Sequence, residues 1–173
     1  MKVISIRQPW AWLIVRPDLT GRARREAAHK HELKDVENRS WRTHYRGPLL
    51  IHAAKGMTRI EYEVAQDTLR VGGPIIELPP FGEMQRGGIV GRADLIDCIP
   101  PERRASWWHF DGDFGFLLAD VKPLPFRQCK GALGIFDIKL ADHFANVRWM
   151  VEIEHERGVM SKKQQKQNTM EPA

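Results

Sequence analysis

The chain has 173 residues, of which 42% are hydrophobic and 28% charged, and a formal net charge of +5. This length suits one domain, and the apolar content is enough for a hydrophobic core and excludes a wholly disordered chain. No apolar run reaches the ~20 residues of a membrane-spanning helix, and no signal peptide precedes the first predicted strand. Only two cysteines occur, Cys98 and Cys129, without a C-x-x-C pair. These features predict a cytoplasmic protein with reduced thiols and no metal or other cofactor.

The first third of the chain predicts one strand and one helix before a polar stretch. Residues 3–6 are mostly apolar and indicate a short buried strand. Pro9 then opens a helix, where proline is tolerated in the first turn, and Pro17 ends it. Residues 17–32 carry almost no large apolar side chains. They predict either an exposed loop or a short solvent-facing helix around residues 23–31.

The middle of the chain predicts a strand followed by a capped helix. A Gly-Pro turn signal precedes the apolar residues 49–53, which are typical of a strand. Thr58 is a suitable N-cap because Glu61, three residues later, can complete a capping box. The helix is expected to run to about Leu69, where Gly72 and Gly73 stop it, and the proline- and glycine-rich residues 74–88 predict a loop.

The remainder of the chain predicts three more strands and a last helix. Residues 88–99 give the clearest strand pattern, and an irregular connection follows at 100–113. Further strands are expected at 114–121 and 132–140. A helix at 141–157 is expected to pack on the preceding residues.

The predicted elements together favour an α+β fold with one domain. Five or six short strands interleaved with two or three helices are typical of a small mixed β-barrel with flanking helices. The domain is expected to span residues 1–140, with the basic residues 17–32 as an insertion. The helix at 141–157 and a disordered tail at 158–173 are expected to follow.

The densest group of polar side chains lies at residues 34–46. Lys34 and Glu37 are three positions apart, and a lysine and a carboxylate that face one cleft can activate water or stabilise a leaving group. The same residues, with Arg39, can instead form a structural ion-pair network that holds a loop against the barrel. The sequence leaves both interpretations open.

The basic side chains are unevenly distributed along the chain. The surplus lies in residues 1–46 and 157–173, whereas residues 47–156 carry a net negative charge. Trp41 stands beside Arg39 and Arg42, a combination typical of single-stranded nucleic-acid sites, where rings stack on bases and guanidinium groups bind phosphates. The alternative is that the tryptophans belong to the core and the cations maintain solubility.

Six sequence blocks, in this order, resemble the ASCH domain family. They are SIRQPWAWLI at 5–14, KDVENRSW at 34–41, RGPLLIHAAK at 46–55, GIVGRADL at 88–95, FGFLL at 114–118 and GALGIF at 131–136. The resemblance covers about residues 3–140. It implies a PUA-like fold, which is a small and mostly antiparallel β-barrel with a cleft beside the first helix, and a nucleic-acid-related role that is chiefly RNA binding.

The family's G-x-K-x-x-E-x-R motif is expected to line that cleft. By this resemblance, Lys34, Glu37 and Arg39 match its last three defined positions, and Glu32 stands where the family has glycine. Relatives usually pass from the first helix to the motif through a short turn, so residues 17–32 are an insertion. The insertion is either an arm that grips phosphates or a surface elaboration.

The leading hypothesis is therefore a protein that binds RNA or single-stranded nucleic acid in a basic cleft beside the barrel. The candidate binding residues are polar, basic or aromatic side chains from the blocks above, from the position that follows the second block, and from the insertion. They are Arg7, Gln8, Trp10, Arg22, Arg24, Arg25, Lys34, Asn38, Arg39, Trp41, Arg42, Arg46 and Lys55.

Two alternatives use the same cleft. Some members of the wider family are similar to hydrolases: a bacterial branch hydrolyses acetylcytidine with a lysine and a threonine three residues later, and others resemble ribonucleases. Here Lys34 is retained and Glu37 takes the threonine position, so a metal-independent ribonuclease or nucleoside amidohydrolase would use Lys34, Glu37 and Tyr45 as catalytic candidates. The other alternative is a reader that holds one modified base between aromatic walls.

Overall fold

The computed structural model describes residues 1–104 and 106–139. In chain order, their elements are β1 (Lys2–Ile6), α1 (Trp10–Val15), α2 (Gly21–His29), β2 (Val36–Arg39), β3 (Gly47–Ala53), α3 (Arg59–Gly72), β4 (Gly88–Ile99), β5 (Phe114–Gln128) and β6 (Ile135–Asp137). Met1–Ile138 form one compact unit. The predicted helix at 141–157 and the predicted tail at 158–173 lie outside the described residues.

The six strands form one sheet in the order β2-β5-β4-β3-β1-β6. The neighbouring strands are antiparallel except for β1 and β3, which are parallel. Register shifts along β4 and β5 mark bulges, which bend and twist a strand, and the sheet curls into a half-barrel. The predicted α+β fold with a small mixed barrel is confirmed.

Strand β5 is longer than its sequence pattern predicts. The expected strand at 114–121 stops before Pro123 and Pro125, because proline cannot donate a ladder hydrogen bond. In the structure β5 continues to Gln128, and Pro123 lies opposite Gly91 of β4 near a register shift. The two prolines therefore sit where the ladder is already irregular. The predicted strand at 132–140 is also corrected, since β6 has only three residues.

Residues 17–32 contain a helix, the second of the two forms that the sequence left open. Only Ala27 of α2 is buried, so this helix faces solvent along most of its surface. The preceding helix, α1, ends at Arg16, which takes a left-handed backbone conformation with φ of 43°. The Arg16 guanidinium binds the Asp18 carboxylate at 2.8 Å, which holds the start of the insertion against α1.

Helix α3 begins with the predicted capping box. The Glu61 backbone N–H donates to Thr58 Oγ1 at 3.1 Å, and the Thr58 N–H donates to the Glu61 carboxylate at 2.7 Å. Two backbone donors that the first helical turn leaves without a partner are thereby satisfied. The cap fixes the direction in which the chain leaves β3.

Helix α1 connects two hydrophobic clusters. Its Ile14 packs with Ile51 and other sheet residues in the first cluster. Its Leu13 packs with Leu69 of α3 and the fully buried Trp108 in the second. Because α1 is held from both sides, the chain on either side of it, including the end of β1, is fixed in position. Within the described part of the chain, we find no helix with the length and hydropathy that crossing a membrane requires.

Candidate functional site

A cleft of about 820 Å³ opens where β1 and β3 end, beside the loop that precedes β4 and the segment that follows β5. Four basic side chains lie around it, namely Arg7, Lys55, Arg86 and Lys130, and no carboxylate is among its described lining residues. We call this feature the basic cleft. Because these side chains are all positively charged, the electrostatic potential in the cleft is positive and attracts anions. The cleft therefore suits a phosphate-bearing ligand.

The four cations differ in what else they contact. Arg7 pairs with Glu61 of α3. The Arg86 guanidinium lies 5.2 Å from the centroid of the Phe81 ring. Lys55 and Lys130 are both exposed and have no ion-pair partner among the described residues. The two lysines are thus the cations most available to an incoming anion.

Ser5 and His52 also line the basic cleft and contact each other. The parallel register of β1 and β3 places them opposite one another, with Ser5 Oγ 3.1 Å from His52 Nδ1. His52 Nε2 is 3.1 Å from the carbonyl oxygen of Cys129. That oxygen can only accept, so Nε2 carries the hydrogen and Nδ1 accepts from the Ser5 hydroxyl.

Burial controls the charge of His52. The side chain is only 2% exposed, and this burial lowers the pKa of His52 from its ordinary value. The neutral imidazole is therefore favoured at neutral pH. A neutral ring with a free lone pair toward a hydroxyl can accept the proton of that hydroxyl.

Residues 34–39 form a second polar group, which we call the buried triad. Lys34 Nζ lies 3.1 Å from Glu37 Oε2, and Arg39 Nη2 lies 3.2 Å from Glu37 Oε1. Lys34 is 2% exposed and also donates to the carbonyl oxygen of Val36. Burial lowers the pKa of Lys34, while the nearby Glu37 carboxylate acts in the opposite direction. The structure thus brings together the three residues that the motif suggested.

The buried triad joins the basic cleft through a backbone contact. Arg39 Nη2 donates to the carbonyl oxygen of Ser5 at 2.5 Å. None of Lys34, Glu37 and Arg39 is among the residues that line the basic cleft. Arg39 Nε is buried and has no hydrogen-bond partner among the described residues. The triad therefore supports β1 at Ser5, and one of its donors remains unused.

The two candidate tryptophans are half-buried rather than free. The Trp10 ring centroid lies 6.0 Å from Lys34 Nζ, at the outer limit of a cation–π contact. The Trp41 ring packs edge-on against Phe116, with centroids 5.0 Å apart. Trp41 thus contributes to the core, and neither ring lines the basic cleft.

Several other candidate side chains bind groups within the protein. Gln8 donates to the carbonyl oxygen of Gln85, and Asn38 donates to that of Trp108, each at 2.9 Å. The Tyr45 hydroxyl donates to the carbonyl oxygen of Pro48 at 2.5 Å. Tyr45 therefore lies near the start of β3, whereas the basic cleft lies at the end of that strand.

The predicted arginines outside the cleft also differ in their roles. Arg46 pairs with Asp97 at 2.8 Å, and Arg22 pairs with Glu26 at 2.6 Å. Arg24 donates to the backbone carbonyl oxygens of Val15 and Arg16, at 2.7 and 3.2 Å, and so satisfies the end of α1. Arg25 and Arg42 are exposed.

Of the predicted binding residues, Arg7 and Lys55 line the basic cleft, and sequence reasoning missed Arg86 and Lys130. Each of the missed cations stands alone in a segment without any motif. The signal lies in the strand pairing, because β4 and β5 place Gly88 opposite Gln128 and so bring the two segments together. That pairing cannot be read from either segment.

A metal site would require at least three histidine, cysteine or acidic side chains in one cluster. Among residues 1–104 and 106–139, no three histidine, cysteine or acidic side chains lie close enough together to hold a metal ion. The chemistry that the structure presents is instead that of cations, one hydroxyl, one imidazole and the buried triad.

Comparison with known proteins places this arrangement in a family. No curated protein matches the chain. The family model of the ASCH domain matches residues 30–160, more than half of the chain, and this region includes the buried triad and strands β2 to β6. ASCH domains are PUA-like domains that generally bind nucleic acid. The chain therefore belongs to the ASCH domain family.

Proposed function

We propose that this chain binds RNA or another single-stranded nucleic acid in the basic cleft. The observation that carries the proposal is the set of four cations around a cleft without a carboxylate among its described lining residues. Nucleic-acid affinity comes largely from neutralising backbone phosphates, and exposed lysines and arginines supply that neutralisation.

The size of the basic cleft favours a flexible strand. Its volume of about 820 Å³ lies within the roughly 300–1,000 Å³ of ligand pockets in proteins. Such a space takes a short stretch of an unpaired strand, whereas a rigid duplex needs a longer open surface. His52 is the only aromatic ring among the described lining residues, so we expect phosphate contacts to dominate over base stacking and sequence preference to be weak.

The test measures binding of fluorescent single-stranded RNA, single-stranded DNA and duplex DNA by anisotropy at several salt concentrations. The variant Lys55→Ala/Lys130→Ala removes the two cations without ion-pair partners among the described residues. Since each phosphate contact on a single strand contributes about 0.7 to the slope of log K against log salt, the slope should fall by about 1.4.

The matched control is Arg70→Ala/Arg103→Ala, which removes the same charge from two exposed positions outside the cleft. It should leave the slope close to that of the unmodified protein. An equal loss in both double variants would attribute binding to net charge and would contradict the cleft. Tighter binding of duplex than of single strands would contradict the choice of ligand.

The second candidate function is hydrolysis of RNA or a modified nucleoside at the buried triad. The observation that favours it is the buried Lys34 amine beside the Glu37 carboxylate. Because burial lowers the pKa of Lys34, the neutral amine becomes easier to form and can then accept a proton.

Incubation with labelled single-stranded RNA and with acetylated cytidine tests the hydrolase, with product followed by gel and chromatography. Product that is formed by the unmodified protein and lost in a folded Lys34→Met variant would support it. Methionine retains much of the lysine stem, and thermal unfolding checks that the variant is folded. Retention of RNA without product would favour the binding function.

A further inference from the structure

We propose that Ser5 is a nucleophile and His52 its general base, and that the basic cleft hydrolyses acyl esters carried on phosphate-bearing molecules such as nucleotides. The substrate class rests on the proposed function, because the same cations would hold the phosphate. The pairing of nucleophile and base rests on geometry alone.

The hydrogen bonds around His52 have the direction that this role requires. A serine hydroxyl becomes a competent nucleophile when an adjacent base can take its proton and a third group orients that base. Ser5 Oγ is 3.1 Å from His52 Nδ1, and the Cys129 carbonyl oxygen holds Nε2 at 3.1 Å. The carbonyl fixes the ring orientation and tautomer, so the lone pair of Nδ1 faces the hydroxyl.

The segment after β5 keeps the two side chains in a tight enclosure. A Cβ atom added at Gly131 would lie 2.6 Å from His52 Cε1 and 2.8 Å from Ser5 Oγ. Glycine at this position lets the backbone cover the pair while leaving room for both side chains. Ser5 is still partly exposed and lines the open cleft, so a substrate can approach the hydroxyl beside Gly131.

The distribution of charge around the cleft selects the substrate. Arg7, Lys55 and Lys130 reach solvent at the rim, whereas His52 is buried and neutral at the floor. An anionic group is therefore stabilised at the rim, and an uncharged electrophile fits the floor. An acyl ester with a phosphate elsewhere in the molecule has this division of charge.

The reaction has two balanced stages. Ser5 Oγ bonds to the carbonyl carbon while its proton passes to His52 Nδ1, and the bond from that carbon to the ester oxygen then breaks as His52 returns the proton to the leaving alcohol. Water next attacks the acyl-serine, gives a proton to His52 and releases the carboxylic acid, and Ser5 regains its proton.

The first experiment treats the full chain with a biotinylated fluorophosphonate, a probe that phosphonylates activated serines with loss of fluoride. Peptide mass spectrometry then locates the adduct. We expect the adduct on Ser5, none in Ser5→Ala, and at least a ~10-fold slower reaction in His52→Gln, since general-base catalysis typically contributes more than that. Ser40→Ala removes an exposed serine outside the cleft and should react like the unmodified protein.

Mapping on the unmodified protein decides the proposal even if a variant does not fold. An unlabelled Ser5 would contradict its assignment as the nucleophile. Unchanged labelling in a folded His52→Gln variant would contradict the assignment of His52 as the base.

The second experiment compares hydrolysis of 3′-O-acetyl-adenosine 5′-monophosphate with that of 3′-O-acetyladenosine. At least a ~10-fold preference for the phosphorylated ester is expected, since a hydrogen bond from a cationic side chain to a phosphate contributes at least that factor and the acyl ester is the same in both compounds. Equal rates would contradict the assigned substrate class.

The two proposals fail in different ways. If Ser5 is not labelled but RNA binds with the expected salt dependence, only the esterase is wrong. If Ser5 is labelled but Lys55→Ala/Lys130→Ala leaves RNA binding unchanged, the nucleic-acid function of the cleft is wrong.

Discussion

The buried triad and the Ser5–His52 pair each place a titratable base in the interior, but they use it differently. Lys34 and His52 are both 2% exposed. Lys34 is enclosed by a carboxylate and a backbone carbonyl, so its charge is compensated inside the protein. His52 keeps one nitrogen toward a hydroxyl that lines an open cleft. Both bases line a cavity, His52 the basic cleft and Lys34 a second cavity of about 800 Å³, so the two differ in their neighbours rather than in their burial.

One hydrogen bond connects the two regions. The Arg39 guanidinium, which pairs with Glu37 in the triad, also donates to the carbonyl oxygen of Ser5. In this way the motif fixes the strand that presents the Ser5 hydroxyl. Changes in the triad should alter stability first, and changes around Ser5 and His52 should alter the cleft first.

The substitution Glu37→Ala is expected to have the largest effect on the free energy of unfolding. The substitution leaves the Lys34 ammonium buried without its carboxylate, and breaking one partner of a buried pair typically costs about 3–5 kcal/mol. Urea denaturation measures the free energy of unfolding. Lys55→Ala, at the rim of the cleft, should leave this free energy unchanged within error. A loss below about 1 kcal/mol would show that Lys34 is accommodated as a neutral amine.

The next effect concerns Gly131→Ala. The new methyl group would overlap His52 and Ser5, and overpacking of this kind costs about 1–3 kcal/mol. Gly56→Ala is the matched control, because Gly56 lines the same cleft and a methyl group added there would meet nothing within 4 Å. Similar melting temperatures for the two variants would show that the segment after β5 moves away without cost.

A smaller effect is the pH dependence of stability that His52 contributes. Its folded-state pKa is lowered, so below about pH 6.5 the unfolded chain binds more protons at this site than the folded chain. The contribution is fully present above the unfolded-state pKa and is lost as the pH falls. Between pH 7 and pH 5.5 the unmodified protein should lose more unfolding free energy than His52→Gln does. Parallel curves of unfolding free energy against pH would show that folding does not lower the pKa of His52.

The smallest effect separates two neighbouring arginines of the insertion. Arg24→Ala removes hydrogen bonds to the end of α1 and should cost about 1 kcal/mol. Arg25→Ala removes an exposed guanidinium and should leave the melting temperature unchanged. If Arg25→Ala instead weakens RNA binding and lowers the salt slope, the insertion is an arm that contacts phosphates.

Local sequence patterns predicted those helices and strands well whose formation depends on residues that are close together in the sequence. The capping box at Thr58 and the strand at 88–99 depend on neighbouring residues, and both are confirmed. The length of β5 depends instead on its partner β4, which continues past the prolines, and so its end at Gln128 was missed.

In the candidate site, too, contacts between residues that are close in the sequence could be predicted, whereas contacts between distant residues could not. Lys34, Glu37 and Arg39 are close in sequence and meet in the structure. Ser5 and His52 are 47 positions apart and meet only because β1 and β3 are parallel neighbours. A nucleophile and its base are recognised by geometry rather than by sequence position, so no motif could reveal this pair.

The position of β1 in the sheet also determines when the cleft is completed during synthesis. β1 precedes both of its sheet neighbours, β3 and β6, in the chain, so both neighbours are synthesised after it. Such long-range pairing slows folding, because distant segments must meet before either gains a partner. Ser5 and His52 therefore come into register late, and reactivity at Ser5 would report that the nascent chain has closed its sheet.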